Sequence, residues 1–81
     1  MVTVKGGTAL AAGLAMAGLS IEDLWMRYFA LGGSYPRRVL EVYVKGESTS
    51  SAHEHDVAAQ ALNECLADQG MDHPVAYADD L

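Results

Sequence analysis

The apolar positions of this chain recur with helical spacing in three stretches, set apart by glycines and short polar runs. The best-marked stretch begins at Ser20, which offers a side-chain acceptor at an N-cap and is followed by Glu22 and Asp23, where the helix dipole favours negative charge. At about 100° per residue, Ile21, Leu24, Trp25, Tyr28, Phe29 and Leu31 share one arc, while Glu22, Asp23 and Arg27 lie opposite. The pattern predicts a helix over 20–32, closed by Gly32-Gly33, with that arc buried and with Met26 and Ala30 on the polar side.

A second helix is expected over 35–45, capped by Ser34, with Pro36 in its first turn and Gly46 as its stop. Pro36, Val39, Leu40, Val42, Tyr43 and Val44 form its broad apolar face, and Arg37, Arg38, Glu41 and Lys45 form the other. The β-branched content of 39–44 invites a strand, but alternation would set Glu41 on the face of Val39 and Tyr43, so the helix is preferred. Ser51 and Glu54 have the spacing of a capping box for a third helix over 52–69, ended by Gly70. Ala58, Ala61, Leu62, Cys65 and Leu66 mark its buried stripe; Gln60, Asn63, Glu64 and Asp68 are assigned to water. Beyond it Pro74 bars further helix, and Val75 and Tyr77 are placed to fold back onto the core. These elements give an all-α fold class, a small three-helix bundle.

Residues 8–19 read differently: apolar, small and rich in alanine, with Lys5 ahead of them. The outline is that of a secretory signal, but Gly13 and Gly18 interrupt it, and the run falls short of the roughly 20 apolar residues that span a bilayer. One reading starts the protein at Met16. Another makes 8–18 a loose helix with Leu10, Leu14 and Ala17 on one stripe, so residues 1–19 are taken as a weakly ordered segment ahead of a single helical domain over 20–81.

Charge changes the picture more than bulk composition does. The chain of 81 residues is 51% hydrophobic and 20% charged, a globular balance, with a net charge of -6. All five Lys and Arg lie within residues 1–45, whereas residues 46–81 hold eight acids and neither Lys nor Arg. Such a split points to pairing between the halves or to an acidic face offered to a basic partner. Cys65, the lone cysteine, excludes an internal disulfide and fits a cytoplasmic setting.

Candidate chemistry is sparse. His53-Glu54-His55-Asp56 is the one cluster of ligand types, yet His53 and His55 lie about 200° apart on a helix and cannot grip one metal, which needs i,i+4 spacing. Cys65 sits on an apolar stripe as a small core residue, and no carboxylate pair must converge. No catalytic residue, cofactor or metal is expected, and the chain reads as a non-enzyme. The alternative function is a helix-turn-helix DNA-binding regulator, with Arg37 and Arg38 opening a recognition helix across Gly32-Gly33. Glu41 on that face and the acidic total argue against nucleic acid.

The run Leu24-Trp25-Met26-Arg27-Tyr28-Phe29-Ala30-Leu31-Gly32-Gly33, followed by a short helix and then Ala61-Leu62-Asn63-Glu64, resembles short uncharacterised helical proteins of high-GC actinobacteria over residues 19–77. That resemblance implies no activity and no site residues. The function expected from size, segregated charge and absent chemistry is a protein-interaction module or regulatory adaptor. Its contact residues are expected on the basic side (Arg37, Arg38, Lys45) or on the acidic last helix (Glu64, Asp68). A protein partner is expected, no membrane is, and a homodimer would cover excess apolar surface.

Overall fold

The computed structural model describes residues 3–81. Four helices carry the fold: α1 (Gly7–Ala17), α2 (Ile21–Ala30), α3 (Arg37–Val44) and α4 (Ala52–Asp68). Two short strands, β1 (Thr3–Val4) and β2 (Ser50–Ser51), pair antiparallel with Thr3 opposite Ser51, and a 3₁₀ turn over Ala78–Asp80 ends the chain. The helical class stands, but the bundle has four helices where the sequence led us to expect three.

The extra member is α1. Residues set apart in the sequence reading as a weak segment form a regular helix whose Leu10 is fully buried and which packs along α4 and α3. Its glycines are the reason. A side chain at Gly7 would strike the Tyr43 carbonyl, and one at Gly13 would come within 2.6 Å of Val75 and 3.1 Å of Leu62. Gly18, in the left-handed region at φ 69°, closes the helix. The alanine and glycine content that weakens the segment as an isolated helix is what allows it to lie close to its neighbours.

α2 begins as its sequence dictates, on a capping box in which Ser20 accepts from the Asp23 N–H at 3.1 Å and Asp23 accepts from the Ser20 N–H at 3.2 Å. Its buried arc is narrower than expected. Leu24 and Tyr28 are fully buried and Ile21 and Trp25 half-buried, but Phe29 and Leu31 are exposed. The wheel gives an arc its direction and not its width; only the side facing α3 and α4 finds a neighbour.

α3 is capped by Pro36 in place of Ser34, and it buries Leu40, Tyr43 and Val44 while leaving Val39 exposed. α3 and α4 each pack on both α1 and α2. The core formed between them holds Leu10, Leu24, Tyr28, Leu40, Tyr43, Leu62 and Leu66, with Val75 folding back from beyond α4. No single helix among the described residues is long and apolar enough to cross a membrane.

Candidate functional site

The first turn of α4 is the polar centre of the molecule. Ser51 caps it by accepting from the Glu54 N–H at 3.1 Å, but the Glu54 side chain turns inward and does not complete the box. The Glu54 carboxylate is buried and accepts from the Tyr28 hydroxyl, from the Ser34 N–H at 2.9 Å and from the Ser34 hydroxyl at 2.8 Å. Tyr28 in turn accepts from the Tyr35 N–H at 2.9 Å, and the Tyr35 carbonyl accepts from the Trp25 indole at 2.9 Å. Ser34, expected as a helix cap, is drawn away by the stronger charged acceptor. Burial pushes the Glu54 carboxyl up, yet the donors from Ser34 and Tyr28 outweigh it and hold the group below the usual carboxylate range. Burial, reinforced by that carboxylate, pushes the Tyr28 phenol up.

His55 is fully buried. Its Nε2 lies 2.8 Å from the Ala76 carbonyl, which only accepts, so Nε2 carries the proton. Nδ1 then accepts from the Tyr43 hydroxyl at 2.7 Å, and that oxygen accepts from the Gly6 N–H at 2.9 Å. One line of bonds thus joins the N-terminal segment, α3, α4 and the C-terminal segment. Asn63 makes a second joint: its amide donates to the Val75 carbonyl and accepts from the Val75 N–H, both at 2.9 Å. Asn63, expected on the water-facing side of the helix, is buried because its amide satisfies both backbone groups of Val75. These buried groups are mutually satisfied, and among the described residues no three His, Cys, Asp or Glu are placed to hold a metal ion. Cys65 is buried, as its stripe requires.

The surface holds the open positions. On the outer side of α4 a groove is lined by Leu31, His53, Asp56, Val57, Gln60, Glu64 and Tyr77. Tyr77 donates to Gln60 at 2.7 Å, and Gln60 donates to Glu64 at 2.8 Å, fixing the groove's polar edge. Asp56 accepts from the Ala78 N–H at 2.7 Å, which seats the C-terminal turn beside it. No family model, curated protein or solved structure matches the chain.

Of the contact residues named from sequence, Glu64 lines this groove and Asp68 stands exposed one turn further on, at the end of α4. Arg37 and Arg38 are exposed in the first turn of α3. Lys45 at its end reaches Glu41 at 3.8 Å, an exposed i,i+4 pair of small energetic weight. The ion pairs among the described residues join neighbours within one half of the chain, Lys45 with Glu41 and His73 with Asp72, and never one half with the other. Leu31, Asp56, Gln60 and Tyr77 join the groove although the sequence does not mark them as contact residues. The i,i+4 spacing of Asp56, Gln60 and Glu64 and the expected return of Tyr77 beyond Pro74 were the available signals; the exposure of Leu31 left none in the sequence.

Proposed function

We propose that this chain is a non-enzymatic protein-interaction module, a cytoplasmic adaptor that holds a partner along the outer side of α4. The observation that carries the reading is the groove: apolar Leu31 and Val57 beside Asp56 and Glu64, with neither lysine nor arginine in its lining. A segment bearing an apolar anchor and a flanking Lys or Arg fits that chemistry, the anchor supplying affinity and the charge supplying rate and register. Asp68 extends the acidic line beyond Glu64. The exposed Arg37 and Arg38 of α3 are a second point of contact of opposite sign.

The test is affinity capture on the full chain, then titration of the captured segment against the wild type and the Glu64→Lys/Asp68→Lys variant. The expected result is saturable binding of a basic segment, weakened at least tenfold by the variant and by added salt. No capture, or binding that ignores both changes, overturns the reading. Affinity for duplex DNA that collapses with salt would instead favour α2 and α3 as a helix-turn-helix.

A further inference from the structure

Seven large apolar side chains are exposed among the described residues, and Met26, Phe29 and Leu31 of these belong to α2 and its C-terminal cap. Met26 and Phe29 are the most exposed of the seven, at 61% and 59%. Phe29 is not loose: its ring stacks on Trp25 with centroids 5.3 Å apart, and Trp25 is itself pinned by its indole bond to the Tyr35 carbonyl. The outer face of α2 therefore combines a braced aromatic ring, a pliable methionine and an arginine, the residue types that concentrate at the centres of protein interfaces.

Next to Met26 lies a shallow hollow lined by Leu19, Asp23, Met26, Arg27 and Ala30. The last four stand at i, i+3, i+4 and i+7, the diamond into which a facing helix sets one side chain. Small Ala30 lowers one corner and lets a backbone come near. Charge along α2 is ordered, with Glu22 and Asp23 in the first turn and Arg27 in the last. Arg27 makes no ion pair among the described residues. An antiparallel copy of the same helix reverses that order and brings each Arg27 towards the acidic first turn opposite. It also lays the two helix dipoles side by side and opposed, each N-terminus beside the partner's C-terminus.

We propose that α2 pairs antiparallel with α2 of a second copy across a two-fold axis, burying Met26 and Phe29 of both chains. A second copy is the occupant that supplies projecting methionine, receiving hollow and reversed charge together, because an isologous interface must be complementary to itself. α2 is ten residues long, about 15 Å, so the contact is small and the dimer weak, with a dissociation constant on the order of micromolar or above. This pairing involves a face other than the α4 groove and holds or fails independently of the partner proposed there.

Sedimentation equilibrium on the full chain tests it, run from the low micromolar range to about 1 mM, the weak limit of specific association. The weight-average mass is expected to climb towards twice the 8.6 kDa of the monomer. Met26→Glu and Phe29→Glu are expected to hold the protein monomeric at all concentrations with helical circular dichroism retained, since both positions are exposed in the single chain. Arg27→Glu should weaken the dimer at least tenfold, and Glu22→Lys added in the same chain should recover most of that loss. Asp23 is left untouched because it caps the helix. A monomer across the whole range overturns the proposal. So does a dimer indifferent to Met26→Glu and Arg27→Glu, or one that Arg27→Glu weakens and Glu22→Lys does not restore.

Discussion

A buried carboxylate is costly unless its oxygens are bonded, and Glu54 meets that condition with donors from Tyr28 and Ser34, both distant in sequence. Tyr28→Phe removes one of those donors and also orphans the Tyr35 N–H. The expected loss is about 1–3 kcal/mol of unfolding free energy, read from the urea midpoint with an unchanged slope. The same groups set the pH dependence, with opposite signs. Glu54 has a lowered folded pKa, so its contribution is complete above the ordinary glutamate value of about 4.3 and is lost as pH falls through the lower folded value. Tyr28 and Tyr43 are both raised, chiefly by burial. Their contribution is complete below the ordinary tyrosine value of about 10 and is lost as pH rises beyond it. Urea midpoints measured across pH should show both limbs, the acid limb flattened in Glu54→Gln and the alkaline limb shallower in Tyr28→Phe. An alkaline limb identical in wild type and Tyr28→Phe would remove Tyr28 from this account.

The elements were legible in proportion to how local their causes are. Caps and stops of α2 and α4 lie within a few residues of one another, so Ser20, Ser51, Gly32 and Gly70 could be read from the chain. What α1 does depends on Val75, Leu62 and Tyr43, remote residues whose approach nothing in the run of small side chains announces. Burial of His55 and Asn63 was hidden for a related reason: their partners are backbone groups of Ala76 and Val75, which carry no signal in residue type. Two substitutions test these close fits. Gly13→Ala improves intrinsic helix propensity yet sets a methyl against Val75, and it should destabilise by about 1–3 kcal/mol through overpacking. A gain in thermal midpoint would mean that α1 does not lie so close. Asn63→Asp keeps the acceptor for the Val75 N–H but leaves the Val75 carbonyl facing a carboxylate. Amide exchange at Val75 should accelerate well before global unfolding, while α2 amides stay protected.

At the scale of the whole molecule, the question is what the acidic half of the chain is balanced against. Pairing between the halves was one reading of the charge split, but the ion pairs among the described residues stay within their own halves. None of the eight acids beyond residue 45 has a Lys or Arg partner among the described residues, and although Glu54 is bonded to Tyr28 and Ser34, like charges in so compact a body oppose folding. Added salt screens that repulsion, with a Debye length falling from about 30 Å at 0.01 M to about 8 Å at 0.15 M. The thermal midpoint should rise by several degrees over that range, given roughly 4–8 °C per kcal/mol for a domain of this size. Binding of a basic segment in the α4 groove should move the other way, because the same screening weakens attraction between unlike charges. Opposite slopes in the two measurements mark acids kept for a partner at a cost to the unbound fold. A midpoint that falls with salt would mean that attraction between the halves outweighs repulsion within the acidic one, and the groove's acids would then serve the fold itself.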